Sequence, residues 1–573
     1  MTEKHFNLVT DPWIKVIKQT DNTVEAVSLQ TLFANVASYR QLAGEMKVQD
    51  LAVMRLLLAI VHTVYSRFDA QGQPYEWLTV AEDSMKVINH DEGDEYVDDV
   101  LDTWDDLWAN GEFTNIVLQY LSVNEAKFDF FGERPFYQVT KSQYDQLVPA
   151  KKRVETGSGT VAVKQINRLI SESGNTPALF APKAGDIKND VSLGELVRWL
   201  IMYQSFTGVT DKTKIVTKEP FSTPTGWVYR LNPVYAKSDN LFTTLMENFV
   251  PDIQEEYQIE SPVWEYESVQ DYIDQRKSLR QPQNRAGLYT TWSRAMHIEW
   301  SQEGRPTIFT AGIPMFNSEN ALIEPMTTWK QDTEKKTNRT FIKPAMKWKQ
   351  SIGKAMWRQF GDYVNSHYLD TGSKQHAAEP GVVSWLRAVR EQNQSVNQTV
   401  LTLESAALIS DGNATSQAPI IEIVDDMTLR ADVLFDDEGA QRWPVRIETT
   451  IDTTQTVGSD YWKFVSQIAD IRGLGDADRK EYASRETAKY YDALNAPFEK
   501  WLGSLQPDED REARIAEWNK TVEGIVFNCA DKFMRTPSPR DFKGIDIEGK
   551  RRNLFTTYGV FRSMVAKHLH GEG

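Results

Sequence analysis

From about Gly458 to its last residues the chain repeats one pattern, apolar residues at helical spacing. It does so in YWKFVSQIADI, ETAKYYDALNAPFEKWLGSL, REARIAEWNKTVEGIVFNCADKFM and LFTTYGVFRSMVAKHL, joined by connections rich in Gly, Pro and Asp. Each segment carries an apolar stripe that water disfavours, and four such stripes cover one another in a bundle. Tyr491, Leu494, Phe498 and Trp501 are expected along its seam. A chain of 573 residues is too long for one core. The segments before the bundle mix strand and helix periods. The predicted fold is therefore α+β, with a large mixed domain over 1–452 and a C-terminal four-helix bundle over 453–573.

Within the mixed part, Asn7-Leu8-Val9, Ile14 to Ile17 and Thr23 to Leu29 read as short strands with a turn at Asp21-Asn22. The longest apolar run, Leu51 to Tyr65, contains Arg55 and His62 and is too short to span a bilayer, so it is expected as a buried helix. Val191 to Phe206 is a second apolar helix, and Thr207-Gly208-Val209-Thr210 after it fits a glycine C-cap. Further on, a helix is expected over Val382 to Arg390, and strands at Val400 to Leu403, Ile420 to Val424, Leu429 to Leu434 and Val445 to Thr449. The N-terminus lacks an apolar signal region, and the one cysteine, Cys529, supports neither a disulfide framework nor a cysteine zinc site. A reducing cytoplasm is the expected compartment, with no membrane partner.

The formal net charge of −17 argues against phosphate binding until its distribution is considered. Asp91 to Asp106 holds nine carboxylates and no base, whereas Lys335 to Arg358 holds eight bases and no carboxylate. The acidic run reads as the solvated face of an amphipathic helix around Trp104 and Trp108. The basic run reads either as a solvated face or as a phosphate-facing surface, with Lys343, Lys347 and Lys349 as contacts and Trp348 and Trp357 able to stack or anchor. Between Ser410 and the β-branched run at Ile420 lies the polar loop Asp411-Gly412-Asn413-Ala414-Thr415-Ser416-Gln417. It is either an ordinary turn or a strand-braced mount for the amide of Gln417. No phosphate-binding loop, zinc-protease, nucleophile-elbow or paired-cysteine motif occurs. His297 has no acid or second His at ligand spacing and reads as a satisfied core histidine, and Cys529 as a core residue. No catalytic group, metal or cofactor is expected.

Several stretches occur together in one order: FNLVTDPWIKVI followed by VSLQTLF, then RPFYQ, NTPALF, GLYTTWSRAMHIEW, SQAPIIE and the four C-terminal helices. In that order the chain resembles the large subunit of type I-E Cascade, the CasA family, over nearly its whole length. The resemblance implies a non-enzymatic sensor in an RNA-guided complex, where base pairing reads the target and protein reads a short protospacer-adjacent motif. It implies partners: guide RNA-bound Cascade subunits (backbone, small subunits and the subunit at the guide 5′ end), double-stranded target DNA, and a recruited helicase-nuclease. By position, Gln417 matches a glutamine wedge entering at the first base step, and Asn413 and Ser416 of the same loop are expected as further DNA contacts. Thr207, Gly208, Val209 and Thr210 match a glycine loop against the DNA backbone, and Ala178, Leu179 and Phe180 match a loop near the guide 5′ end. The chain departs from the family in having Ser416 where Asn precedes the wedge, and Asn317 near the place of the motif-reading lysine, a role not carried over. It also lacks cysteines in Ser301 to Thr307. The alternative is an acidic scaffold that uses its bundle and the Asp91 to Asp106 face to bind basic partners.

Overall fold

Helix Lys47–Tyr65 is apolar on every side, and a helix of that kind needs neighbours all round. In the computed structural model it packs against helices Leu193–Phe206, Arg285–Tyr289, Ile116–Val123 and Leu241–Asn248. It is long and apolar enough to cross a bilayer, yet 94% of its most apolar window is buried inside the protein. The structure describes residues 5–91, 96–156, 166, 190–208, 212–251, 257–279, 281–302, 304–321, 323–347, 351–364, 379–393, 400–410, 419–547 and 549–571. These fall into two units. The first comprises Met1–Gln350, Pro380–Leu386 and Glu404–Val424, and the second Ser351–Glu379, Arg387–Leu403 and Asp425–Gly573.

Two buried ion pairs stand in the first unit beside this core. Arg55 donates to both carboxylate oxygens of Glu324 at 2.8 Å, and Glu324 also accepts the Trp227 indole N–H at 2.7 Å and the Met326 amide at 3.0 Å. Arg67 is held by Glu265 at 2.7 and 3.1 Å and by the Met85 and Glu260 carbonyls, while the Tyr120 hydroxyl donates to Glu265 at 2.7 Å. Removing such charges from water is tolerated because each carboxylate has several donors.

The N-terminal sheet has Ile14–Lys18 at its centre, with Val24–Val27 and Tyr39–Leu42 on either side. Asn22 at φ 57° makes the expected turn. Asn7-Leu8-Val9 is not a strand: Asn7 makes an isolated antiparallel bridge to Asp129, and the chain turns from Leu8, where the Asn7 side chain accepts the Val9 amide at 2.9 Å. Helix Tyr96–Asn110 buries Trp104, whose indole donates to the Met246 carbonyl at 3.1 Å, and exposes Asp98, Asp102 and Asp106 along one stripe.

Glu247, on helix Leu241–Asn248, is 1% exposed. Burial pushes its carboxyl up to about 7, against a partly compensating hydrogen bond from Ser238. A folded-state value above the unfolded value of 4.5 contributes stability that is complete below about 4.5 and is lost as the pH rises through 7. Urea unfolding from pH 4.5 to 8 is therefore expected to show wild type losing on the order of 3 kcal/mol relative to Glu247→Gln. Parallel pH curves would show that the buried carboxyl is not the titrating group.

In the second unit the four long helices are Trp443–Ile471, Asp476–Gly503, Arg511–Arg535 and Leu554–His570. The first of them runs unbroken through the boundary expected at 452/453, and Val445 to Thr449, expected as a strand, forms its opening turns. Ile447, Thr450, Ile451 and Thr454 are buried at helical spacing. The threonine hydroxyls bond back along the helix, Thr450 to the Arg446 carbonyl at 2.7 Å and Thr454 to the Thr450 carbonyl at 2.8 Å. Burial of the helical stripe overrides the strand preference of the β-branched residues. The strand expected over Leu429 to Leu434 likewise ends at Arg430 and gives way to a helical turn, Ala431–Leu434.

Leu494, Phe498 and Trp501 line the seam as expected, but Tyr490 fills the inward place while Tyr491 lies half-buried under Arg358. Gly458 permits that approach: a Cβ there would stand 2.3 Å from the Tyr491 hydroxyl. Trp357, from the basic run, stacks on Phe498 with ring centroids 4.2 Å apart and donates to Asn495 at 3.0 Å. It is an anchor of this unit and has no free face for a base.

Candidate nucleic-acid interface

The polar loop at 411–418 connects two hydrogen-bonded strands, Val400–Ser410 and Pro419–Arg430, with Val234–Lys237 on the other side of the first. These strands are longer than the sequence pattern suggested. Gln417, Ser416 and Asn413 lie outside the described residues, as do Val209, Thr210, Ala178, Leu179, Phe180, Trp348 and Lys349.

Within the first unit the root of the loop is fastened by two carboxylates that sequence reasoning missed. Glu404 is buried and accepts from the Tyr235 hydroxyl and, at 2.5 Å, from the Lys237 ammonium. Glu422 accepts the Val48 amide at 2.9 Å, at the first turn of the core helix Lys47–Tyr65, where an anion also meets the positive end of the helix dipole. Burial raises the Glu422 carboxyl, and it raises neighbouring Asp50 to about 6. The available signal was a carboxylate set within an apolar run, Glu404 between Leu403 and Ala406 and Glu422 among Ile420, Ile421 and Ile423.

The basic run begins on an antiparallel hairpin, Trp329–Thr333 with Thr340–Pro344. Lys343 is ion-paired to Asp332, and Lys347 donates to the Ser405 hydroxyl at 2.9 Å, next to Glu404. Lys335 and Lys336 at the hairpin tip are exposed and make no ion pair among the described residues.

Thr207 and Gly208 are both buried. The helix Leu193–Phe206 ends with Thr207 in an extended conformation (φ −65°, ψ 133°), not on a left-handed glycine cap. The Thr207 carbonyl accepts the Gly226 amide at 2.8 Å, and a Cβ on Gly226 would fall 2.2 Å from the Ser205 carbonyl oxygen. This seal turns both residues inward, so any surface for DNA in this segment begins after Gly208. Asn317, near the family's lysine position, accepts the Glu319 amide at 3.1 Å in a local turn.

His297 is satisfied, as expected, but it does have an acid partner. Its Nδ1 lies 3.0 Å from the Val139 carbonyl and its Nε2 2.8 Å from Glu299, two residues along strand Arg294–Trp300 on the same face. Among the described residues no group of three or more His, Cys, Asp or Glu is placed to hold a metal. Cys529 is half-buried, and burial pushes its thiol up, away from the thiolate a nucleophile needs.

The family model for CRISPR-associated protein Cse1 matches residues 7–529. The chain belongs to the Cse1 family. Among solved structures, Cse1 from Thermobifida fusca is 18% identical, with a TM-score of 0.77 over 99% of each chain. Cse1 from Acidimicrobium ferrooxidans is also 18% identical, with a TM-score of 0.71 over 99% of each chain. A chain of a CRISPR RNA-guided surveillance complex is 13% identical, with a TM-score of 0.57 over 98% of this chain and 99% of that one. No curated protein sequence matches significantly. The α+β class expected from the sequence is the Cse1 fold, and the resemblance to the Cascade large subunit holds across the chain.

Proposed function

We propose that this protein is the non-catalytic large subunit of a cytoplasmic, RNA-guided CRISPR surveillance complex. In that role it recognises the protospacer-adjacent motif in duplex DNA, promotes strand opening and R-loop formation, and helps recruit the helicase-nuclease that degrades the target. The observation that carries the reading is membership of the Cse1 family over residues 7–529. The likeness of its fold to a chain of a CRISPR RNA-guided surveillance complex supports it. So does a polar loop fastened at its root by Glu404 and Glu422, since a side chain that opens DNA must push against something rigid.

Co-expression with candidate Cascade subunits and guide RNA tests the reading. The expected outcome is one stoichiometric complex that retains motif-bearing duplex. Failure to co-purify, with stable binding to basic proteins instead, would favour the acidic scaffold.

The basic hairpin gives a second test. If it faces phosphate, replacing Lys335 and Lys336 by Ala flattens the dependence of log affinity on log salt by roughly 0.9 per lost contact, for all sequences alike. Lys343→Ala is expected to do less, because its ammonium must first leave Asp332. An unchanged slope in the double variant would make the run a solvated face.

A further inference from the structure

In the first unit a cleft is walled by the RPFYQ segment on one side and residues 263–272 on the other. It is a shallow cleft with about 50 Å³ of room inside, so a ligand would lie across its mouth on the lining side chains. Its floor is aromatic: Tyr137, Tyr272 and Trp292 are buried and in ring contact, with Tyr272 and Trp292 centroids 5.4 Å apart. Tyr266 packs edge-on against Tyr272 at 5.2 Å and is the half-buried ring at the opening.

The charge around this cleft is opposite to that of the chain. Lys127 is half-buried on its wall, and its ammonium makes no ion pair or hydrogen bond among the described residues. Arg134 donates to the carbonyl of Glu267, a neutral acceptor. The nearby carboxylates are already matched, Glu265 by Arg67 and Glu267 by Lys86. Four cations, Arg67, Lys86, Lys127 and Arg134, thus gather around two carboxylates beside this aromatic cleft, in a protein whose formal net charge is −17. Tyr137 sits at φ 56°, a conformation that a bulky residue adopts only when its surroundings hold it there, and such positions cluster at binding sites.

We propose that this cleft binds a single unpaired nucleotide, its base on the Tyr266 ring and its phosphate between Lys127 and Arg134. Aromatic faces stack any base, and flanking cations neutralise the backbone without reading sequence. The choice of a nucleotide over another anionic aromatic ligand rests on the function proposed above, in which opened DNA and guide RNA both offer unpaired positions.

The test uses the full chain and a five-nucleotide single-stranded deoxythymidylate with 5-iodouracil at its centre. Photocrosslinks are expected in the peptides covering 127–138 and 263–272. Tyr266→Leu is expected to weaken binding roughly 5- to 150-fold, the span that base stacking covers. Lys127→Gln is expected to lower the salt slope by about 0.7, one single-strand phosphate contact. Crosslinks confined to other peptides, or equal affinity of wild type and both variants, would overturn the assignment. Assembled complexes separate this from the broader function: wild-type assembly that fails to bind motif-bearing duplex strikes that function, while duplex binding alongside an empty cleft strikes only the cleft.

Discussion

Replacing Gln417 by Ala is expected to lower the affinity of an assembled complex for fully duplex target by on the order of a few kcal/mol, the cost of unstacking a base step. A target already opened by a bubble beside the motif is expected to bind nearly as before. Under the proposed role the side chain displaces the first base pair beyond the motif and offsets part of the lost stacking. Alanine removes that reach and leaves the loop's attachments intact, since Glu404 and Glu422 fasten the strands on either side. Electrophoretic shifts with the two substrates decide the matter. Equal losses on both would mean that Gln417 touches the motif itself, and no loss on either would return 411–418 to an ordinary turn.

Glu324→Ala is expected to destabilise the first unit by about 3–5 kcal/mol, the usual consequence of leaving a buried charge without its partner. Arg55 is 1% exposed and Glu324 fully buried, so water cannot replace the lost carboxylate. The Trp227 indole and the Met326 amide lose their acceptor as well. Urea unfolding followed by circular dichroism measures the loss. The double variant Arg55→Met with Glu324→Leu is expected to recover most of it, because two apolar side chains leave no charge to desolvate. A loss below about 1 kcal/mol in the single variant would mean that the carboxylate is dispensable to the core.

Elements whose pattern extends over many residues were legible in the sequence. Lys47–Tyr65 is apolar on all faces and the four C-terminal helices carry long stripes, so period alone identifies them. Local signals failed where distant packing decides. The β-branched stretch from Val445 to Thr449 favours a strand, yet joins a helix because Ile447 and Ile451 are buried together with Trp443. Tyr39–Leu42 offers little alternation of its own and becomes a strand by pairing with Ile14–Lys18. Near the candidate interface, the polar loop was visible as composition, but its fastening was not, since Glu422 meets a backbone amide 374 residues earlier in the chain. The burial of Thr207 and Gly208 depends on Gly226, whose close approach no spacing rule announces.

The interleaving of the two units along the chain has a consequence for synthesis. The first unit has all its segments once Val424 has been made, whereas Ser351–Glu379 and Arg387–Leu403 belong to a unit that is completed only by Asp425–Gly573. At the usual 5–20 residues per second, the segment Asp425–Gly573 takes roughly 8–30 s to make. Through the first part of that interval Trp357 has emerged, but Phe498 and Asn495, on which it will stack and to which it will donate, do not yet exist. The nascent chain thus carries a finished first unit beside an aromatic segment awaiting its partner, and it is there that a chaperone or a premature stop would act.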